Sequence, residues 1–294
     1  MQRICTSTGI CRRWLQFRFL KSMSTSSSFS LDGKVALVTG SSAKDSIGFG
    51  IAESLAKRGC SLVLTGRRQP EMVKDVETTL KSKWNVHVDY IDADLSDMKS
   101  VDKLYTDIKK IHEQGVDILV NNAAVPLHVS PIESITLEHW EETLLVNLTA
   151  PFRLIQLHLP DMKIKGWARI VNINAISGLR GFPEVAPITS SKHGLNGLTK
   201  VVALESLGSG VTCNSICPGA VDTQSTRDFF KSTFEKLGIS FDEENEKQAL
   251  TQFNPSGQYV ETEQVSELVA FLCSPAADQM TGTLLPIDAG LCAK

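Results

Sequence analysis

The sequence predicts a single α/β domain, built on a doubly wound, seven-stranded parallel sheet with helices on both faces. Two observations lead to this fold class. Short, continuously apolar runs rich in valine, leucine and isoleucine recur along the chain, which is typical of parallel strands covered on both faces. Longer amphipathic stretches separate most of these runs, as in consecutive strand–helix units. No linker or internal repeat follows Ser30, so one domain is expected over residues 32–294.

Each strand is predicted from one apolar run, and each helix from a stretch whose apolar residues recur at helical spacing. The predicted strands are residues 34–39, 61–65, 86–91, 117–121, 168–174, 211–216 and 283–287. The predicted helices include residues 47–58, 100–113, 137–157, 189–207 and 261–272. Polar, helix-like sequence at about residues 222–256 interrupts the alternation. Because it follows the carboxyl end of the sixth strand, where α/β sheets bind ligands, it is predicted to be a lid.

The composition excludes several classes of protein. Hydrophobic residues make up 42% of the chain and charged residues 21%, which excludes a wholly disordered or fibrous protein. The seven cysteines are scattered without metal-ligand spacing, so reduced thiols are expected and no metal site is predicted. Beyond residue 31 the chain carries 25 basic and 33 acidic residues. This acidic body without a basic stripe argues against nucleic acid as a partner.

Residues 1–31 differ in composition from the rest of the chain. They contain five arginines or lysines, many serines and no acidic residue. This is the composition of a mitochondrial presequence, so a location in the mitochondrial matrix is predicted. The apolar stretch at residues 14–20 is short and contains Arg18, so no membrane span is predicted. The alternative is a disordered leader on a cytoplasmic protein, and Met23 could serve as an internal start that produces such a form.

A glycine-containing turn joins the first strand to the first helix. Gly40 ends the strand, and Ser46, Ile47, Gly48 and Gly50 open the helix. Glycine at the end of a strand permits a tight turn, and the free N–H groups and dipole of a helix N-terminus can bind a pyrophosphate. The pattern therefore predicts a Rossmann-like dinucleotide site that includes these five residues.

Further motifs follow in an order that resembles one known family. Asp94 follows the third strand and Asn121 ends the fourth, and Asn147, Lys192 and Thr223 come later in the chain. With the glycine turn, these motifs make residues 33–290 resemble the short-chain dehydrogenase/reductase family. The segments at 238–244 and 255–264 look most similar to its 3-hydroxybutyrate dehydrogenase branch.

The resemblance implies a nicotinamide cofactor and assigns contacts to it. By this resemblance Asp94 caps the adenine, Asn121 meets the adenosine ribose, Lys192 the nicotinamide ribose and Thr223 the nicotinamide amide. The glycine turn departs from the usual family pattern, because it has two extra residues and Ser46 in place of a glycine. In this respect it is similar to the enoyl-thioester reductases of the same superfamily.

The end of the second strand bears on the choice of cofactor. A carboxylate at this position would hold the ribose 2′-hydroxyl of NAD, but the residues here are Arg67 and Arg68. Guanidinium groups favour a 2′-phosphate. NADP(H) is therefore predicted in preference to NAD(H), with Arg67 as the phosphate contact.

The acid of the family is missing from this sequence. In the family, a tyrosine four residues before the lysine transfers the proton, and a serine thirteen residues before that tyrosine holds the substrate oxygen. Ile188 and Ala175 occupy these positions, although Lys192 and Asn147 of the proton relay are present. Loss of general acid–base catalysis typically costs about 10²–10⁴-fold in rate. The chain has three tyrosines, all outside this segment, at Tyr90, Tyr105 and Tyr259.

Neighbouring side chains are poor substitutes for the missing tyrosine. The hydroxyls of Ser177, Thr189, Ser190 and Ser191 titrate far above a phenol, and they are expected to serve in capping, packing or loops. His193 has a suitable pKa in principle, but it directly follows Lys192 and is expected to face away from it.

Alternative functions follow from these observations. By resemblance the chain is an oxidoreductase of 3-hydroxy or 3-oxo acids or acyl thioesters, with a small-molecule substrate and altered proton delivery. The alternative is a catalytically silent nucleotide-binding subunit or scaffold, which the joint loss at positions 175 and 188 favours. The Ser46 turn suggests a third function, reduction of an activated C=C bond with a proton from solvent.

The resemblance also implies an oligomer. A homo-oligomer, a tetramer or dimer, is expected through the helices at 137–157 and 189–207. A hetero-oligomer with an active paralogue is the alternative.

Overall fold

The structure is a computed structural model that describes residues 29–293. Its seven strands are β1 Val35–Thr39, β2 Ser61–Gly66, β3 Val88–Asp92, β4 Ile118–Asn121, β5 Ala168–Ile173, β6 Val211–Pro218 and β7 Leu284–Ile287. They form one sheet in the order β3-β2-β1-β4-β5-β6-β7, and every neighbouring pair is parallel. The predicted fold class is confirmed.

Helices follow most of the strands. They are α1 Ile47–Ala56, α2 Lys74–Trp84, α3 Met98–Ile111, α4 Leu137–Leu144, α5 Ala150–Lys165, α6 Ala186–Glu205, α7 Gln224–Leu237, α8 Glu243–Leu250 and α9 Thr262–Leu272. The helix predicted over 137–157 is divided by a π-helical turn at Leu145–Thr149. The helix predicted to begin at 189 begins at Ala186, because a proline in the first helical turn is well tolerated.

The core consists of two apolar layers, one on each face of the sheet. Along β1, Ala36 and Val38 point into the layer that contains Ile51 of α1. Leu37 points into the opposite layer, which contains Leu104 of α3. This alternation follows from the two-residue period of a strand, and it explains why the strand is apolar at every position.

The insertion predicted at 222–256 contains α7 and α8, as its helix-like sequence indicates. These two helices form an apolar cluster of their own, in which Phe230, Phe234 and Leu250 are buried. The lid segment is therefore held together by its own aromatic contacts at the edge of the domain.

Most of the predicted leader, residues 1–31, lies outside the described residues. Its last residue, Leu31, is 2% exposed, belongs to the core and donates its N–H to the carbonyl oxygen of Arg58. The ring of Phe29 lies under the Arg58 guanidinium, 5.2 Å from the ring centre. The folded domain thus includes the end of the segment. Among residues 29–293, no helix has both the length and the apolar character needed to cross a bilayer.

Candidate active site

The candidate site lies at the carboxyl edge of the sheet. Because the strands are parallel, residues that follow their ends meet at one edge. The strand order reverses between β1 and β4, and such a switch point is where open α/β sheets bind ligands. The two strands are joined there by side-chain bonds: Asn122 donates its Nδ2 to the carbonyl oxygen of Thr39 at 2.7 Å, and Thr39 Oγ1 accepts the N–H groups of Asn122 and Ala123.

The predicted glycine turn has no room for a side chain at its glycine positions. Gly40 has a φ of +68°, and a Cβ on it would stand 2.9 Å from the Cα of Ala123. A Cβ on Gly48 would lie 2.4 Å from the carbonyl oxygen of Gly40. One on Gly50 would lie 2.9 Å from the hydroxyl of Ser266 in α9. The turn is thus close-packed, and its backbone approaches the start of α1 without intervening side chains.

The hydroxyl of Ser46 stabilises the start of α1. It caps α1 by accepting the N–H of Phe49 at 3.1 Å, and it donates to the carbonyl oxygen of Ala43 at 2.7 Å. Within the described chain the N–H groups of Ile47 and Gly48 make no hydrogen bond. The phosphate contact predicted for this turn would therefore come from these two N–H groups rather than from the Ser46 hydroxyl.

The end of β2 presents the two arginines. Arg67 is exposed and forms no ion pair within residues 29–293, while Arg68 donates to the carbonyl oxygen of Ser42 at 3.2 Å. Asp94 accepts the N–H and hydroxyl of Ser96, which hold the pKa of its carboxyl below the usual range, with a smaller effect of Arg67. The guanidinium of Arg67, at the end of β2, is therefore suited to contact a phosphate on the adenosine ribose of a dinucleotide.

Asn121 is directed into the sheet. It is 3% exposed and donates its Nδ2 to Oδ1 of Asn172 in β5 at 2.8 Å, and its own Oδ1 has no partner among the described residues. The predicted contact with the adenosine ribose would therefore have to come from the Asn121 main chain.

Lys192 lies on the buried face of α6. Its Nζ donates to the carbonyl oxygen of Ile173 at 2.9 Å, and the residue is 5% exposed. Burial lowers the pKa of this ammonium from 10.5 to about 8. The side chain is thus held at the carboxyl end of β5 by a main-chain acceptor.

Asn147 lies in the π-helical turn between α4 and α5. Its Oδ1 accepts the N–H of Val125 at 2.9 Å, and its Nδ2 donates to the hydroxyl of Ser191 at 3.2 Å. Single π turns often occur at functional sites, because the extra residue turns a side chain inward. Here the turn brings Asn147 to the residue that precedes Lys192.

Ala175 is held in place by two buried amides. Asn174 accepts the Ala175 N–H at 2.8 Å and donates to Asn196 Oδ1 of α6 at 2.8 Å. Asn196 in turn donates to the carbonyl oxygen of Gly178 at 2.9 Å. These bonds fasten the loop after β5 to α6. Neither asparagine was predicted as a site residue, although Asn174, a polar residue between apolar neighbours at the end of a strand, offered a signal.

Ile188 lies one helical turn before Lys192, on the same face of α6. Among residues 29–293, none of the neighbouring side chains considered as a substitute acid is directed to this face. His193 is exposed, with Nδ1 at 2.9 Å from the carbonyl oxygen of Thr189, and Ser191 donates its hydroxyl to the carbonyl oxygen of Ile188. Ser177 is buried, and its hydroxyl has no partner in the described residues. An apolar side chain therefore occupies the position at which the family resemblance places the proton donor.

The three tyrosine hydroxyls of the chain are bound elsewhere. Tyr90 donates to the carbonyl oxygens of Gly66 and Arg68, and burial raises the pKa of its phenol to about 12. Tyr105 donates to Asp161. Tyr259 donates to Glu246 of α8 at 2.6 Å, and burial and that carboxylate raise its pKa.

Several known proteins are similar to this chain in architecture and in sequence. Residues 40–292 match the sequence profile of the family described as Enoyl-(Acyl carrier protein) reductase. Over 260 residues the chain is 36% identical to D-beta-hydroxybutyrate dehydrogenase of Cupriavidus necator, an alignment that covers 88% of this chain and 98% of that protein. The chain belongs to the short-chain dehydrogenase/reductase family.

Solved structures of similar dehydrogenases and reductases contain a nicotinamide cofactor. L-Sorbose reductase from Gluconobacter frateurii, complexed with NADPH and L-sorbose, superposes with a TM-score of 0.82 at 26% identity, covering 90% of this chain and 99% of that one. A variant of actinorhodin polyketide ketoreductase with NADPH has a TM-score of 0.81 at 30% identity, covering 89% and 98%. The predicted family is confirmed, and so is the predicted similarity to its 3-hydroxybutyrate dehydrogenase branch.

In this short-chain dehydrogenase/reductase, the base of the lid lies beside the site. Thr223 caps α7 by accepting the N–H of Thr226 at 3.2 Å. Asn254 is fully buried and bonds both the N–H and the carbonyl oxygen of Ala220. Phe253 stacks on Phe182 of the loop before α6, with ring centres 6.3 Å apart. The lid thus contacts the loop that leads to Ile188.

Proposed function

We propose that this chain binds NADP(H) and recognises 3-oxo or 3-hydroxy acids or acyl thioesters, while interconverting them far more slowly than family members with a tyrosine. The main support for slow turnover is that Ile188 lies one helical turn before Lys192, where the family has its tyrosine. The hydroxyls of all three tyrosines of the chain are hydrogen-bonded elsewhere. The residues around the site fit a dinucleotide, because within residues 29–293 the N–H groups of Ile47 and Gly48 are free and Arg67 has no acidic partner.

The substrate class is supported by the relatives. The similar protein from Cupriavidus necator is named D-beta-hydroxybutyrate dehydrogenase, and its substrate is a 3-hydroxy acid.

The chain has residues that could hold the cofactor for this reaction, but it lacks those that would transfer the proton and hold the substrate oxygen. A bound nicotinamide would donate or accept a hydride. Lys192 would hold its ribose with a positive charge, and Asn147 would keep the loop at Val125 in place. Ile188 has no proton to give, and Ala175 has no hydroxyl to hold the substrate oxygen. Loss of the acid costs about 10²–10⁴-fold, and loss of one oxygen donor about 10²–10³-fold.

The test restores the two missing hydroxyls. The wild-type chain and the double variant Ala175→Ser/Ile188→Tyr are assayed with NADPH and 3-oxo acids, 3-oxoacyl thioesters and enoyl thioesters, after calorimetry with NADPH and NADH. The matched control is Ala175→Ser/Ile188→Phe, which adds the ring without the phenol. We expect tight NADPH binding by all three proteins and ketone reduction at least about 100-fold faster in the tyrosine variant alone.

Two results would contradict the proposal. Wild-type ketone reduction within tenfold of the tyrosine variant would show that another group delivers the proton. Failure of the wild-type chain to bind either nucleotide would show that the fold is retained without its cofactor. Turnover of enoyl but not of 3-oxo substrates by the wild-type chain would favour C=C reduction, with hydride transfer and a proton from solvent.

A catalytically silent subunit or scaffold is the second candidate. It is favoured because the retained relay residues have structural bonds of their own. Lys192 bonds the carbonyl oxygen of Ile173, and Asn147 bonds Val125 and Ser191. Their presence therefore does not require catalysis. NADPH binding without wild-type turnover of any of these substrates would support this candidate over a slow oxidoreductase.

We also propose a homo-oligomer, a dimer or tetramer, through the outer faces of α5 and α6. Phe152 of α5 is 47% exposed, and Val201 and Leu204 of α6 are 50% and 68% exposed. Light scattering of the purified chain should show a mass that Leu204→Lys reduces to one protomer. A hetero-oligomer with an active paralogue would instead appear as a second chain that co-purifies with it.

We further propose the mitochondrial matrix as its location, on the composition of residues 1–31 alone. Import of the full chain into isolated mitochondria, with removal of the leader, tests this. A chain that stays outside them would support the cytoplasmic alternative.

A further inference from the structure

Two histidines and an aspartate meet at the edge of the sheet, away from the nucleotide edge. His87 precedes β3 and Asp89 lies two residues later, so both side chains project from the same face of the strand. His112 follows the last residue of α3. The strand β3 is an outer strand of the sheet, and these residues lie at its amino end, whereas the nucleotide site lies at the carboxyl ends.

Both imidazoles point at the same carboxylate oxygen. His87 Nε2 lies 2.9 Å from Asp89 Oδ2, and His112 Nε2 lies 3.3 Å from it. One possible ligand atom from each of the three side chains lies within 4.8 Å of the other two. A tetrahedral ion with bonds of 2.0–2.1 Å needs ligand atoms about 3.3 Å apart. Both nitrogen–oxygen separations are close to this value, and the two nitrogens have less than about 1.5 Å to close.

The surroundings favour a cation. Within residues 29–293, no lysine or arginine forms an ion pair with Asp89, whose recorded ion-pair partners are the two histidines. The His87 side chain is 57% exposed and able to adjust, whereas Asp89 is 22% and His112 15% exposed. Solvent can therefore reach the cluster and supply a fourth ligand.

We propose that His87, Asp89 and His112 bind a divalent transition-metal ion of the zinc class. Two imidazole nitrogens and one carboxylate oxygen suit Zn²⁺, Co²⁺ or Ni²⁺ better than Ca²⁺ or Mg²⁺, which prefer all-oxygen sites. The ion joins the start of the edge strand β3 to the end of α3. Its role is structural, because it touches no residue assigned to the nucleotide or the substrate.

Cysteine spacing in the sequence predicts no metal site, and it carries no information about these histidines. His87 and His112 lie on different elements and far apart in the chain, so no local motif joins them. The fold brings them together because α3 returns the chain from the end of β3 to its beginning, as a crossover between parallel strands must.

The experiment uses the full-length chain freed of metal by a chelator. Co²⁺ is added and its visible absorption recorded, after which Zn²⁺ is added as a competitor. The variants are His87→Ala/His112→Ala and the milder Asp89→Asn. A matched control is His128→Ala/His139→Ala, a second histidine pair whose ring centres are 4.7 Å apart but for which no described carboxylate lies within ion-pair distance.

We expect one equivalent of Co²⁺ with nitrogen and oxygen ligation, displaced by Zn²⁺. Both cluster variants should weaken this binding at least about tenfold, because loss of even an outer-sphere partner costs about 10–100-fold. The control pair should bind as the wild type does, and saturating Zn²⁺ should raise the Tm of the wild type and control only. NADPH affinity, unchanged in every variant, shows that each one folds.

Three outcomes would overturn the proposal. The first is Co²⁺ affinity that is equal in the wild type and in both cluster variants. The second is an absorption spectrum dominated by thiolate charge transfer, which would place the ion on cysteines. The third is an absence of binding at millimolar Co²⁺, in which case the carboxylate merely accepts two histidine N–H groups.

Discussion

The ammonium group of Lys192 donates to the carbonyl oxygen of Ile173 at 2.9 Å, and no carboxylate of residues 29–293 forms an ion pair with it. The charge is therefore buried with only a neutral acceptor. Burial lowers its pKa from 10.5 to about 8, so the folded state binds the proton less tightly than the unfolded chain does. A buried charge of this kind reduces stability in the absence of ligand.

Substitution of Lys192 by methionine should stabilise the free protein at pH 7, by about 3 kcal/mol before repacking. The wild type should gain stability as the pH rises from about 8 to 10.5, because over this range only the unfolded chain still holds the proton. The difference between the two proteins should shrink over the same range. Urea unfolding at pH 7, 8.5 and 10 measures this difference.

The control for this substitution is Lys200→Met, which removes an exposed ammonium from the same helix. It should leave the pH dependence of unfolding as in the wild type. Lys192→Met should also weaken NADPH binding, so that stability and affinity change in opposite directions. Equal stability of Lys192→Met and wild type at pH 7 and pH 10 would argue against the buried charge.

Arg67 should select the cofactor. Arg67→Ala should weaken NADPH binding about 10–100-fold, because a charge-assisted contact to phosphate contributes roughly 1.5–3 kcal/mol. NADH lacks the 2′-phosphate and serves as the internal control, with an affinity that should change less than threefold. Calorimetry measures the affinity of the wild type and of Arg67→Ala for both nucleotides. A parallel loss for NADH and NADPH would assign Arg67 to a different contact.

Gly48 should not tolerate a side chain. A Cβ at this position stands 2.4 Å from the carbonyl oxygen of Gly40, so Gly48→Ala must displace the turn. We expect loss of nucleotide affinity by at least about tenfold and a lower Tm. Gly181→Ala is the matched control, because a Cβ there meets no atom within 4 Å. Normal NADPH affinity in Gly48→Ala would mean that the turn is looser than its contacts indicate.

His158 of α5 should make the protein sensitive to acid. Its ring is fully buried edge-on against Tyr105, neither nitrogen has a partner within the described residues, and burial lowers its pKa to about 4. As the pH falls from 6.5 to 4, the unfolded chain binds the proton first and stability falls. His158→Phe should remove this contribution, about 2–3 kcal/mol at pH 4.

Unfolding curves at pH 7 and pH 4.5 test the role of His158. The exposed His193→Gln serves as the control and should lose stability on acidification as the wild type does. An equal loss in His158→Phe and wild type would assign the acid sensitivity to other groups.

Much of the fold could be predicted because apolar runs along the strands report burial directly. The alternation of Ala36, Leu37 and Val38 between the two core layers is an example. The break within the predicted helix 137–157 could not be predicted, because a π turn depends on what its side chain binds. Asn147 in that turn hydrogen-bonds Val125 and Ser191, and both partners are remote from it in sequence.

The site could be predicted where local backbone geometry demands a particular residue, as at Gly40 and Gly48. Prediction was weaker where a side chain has a choice of partners. Ser46, predicted as part of the nucleotide site, uses its hydroxyl to cap α1, and Asn121 turns toward Asn172. Such choices depend on tertiary neighbours. The assignment of Ile188 and Ala175 to the tyrosine and serine positions of the family rests on their spacing from Lys192 alone, and it stays a prediction.

The bonds that shape the two halves of the site share no residue. Asn122 and Thr39 fasten β1 to β4 at the nucleotide turn, whereas Asn174 and Asn196 fasten the loop of Ala175 to α6. Mutations could therefore accumulate in one half while selection preserved the other. A chain that serves only to bind a nucleotide would need neither hydroxyl, and the two substitutions Ala175→Ser and Ile188→Tyr would add both hydroxyls without altering the nucleotide turn.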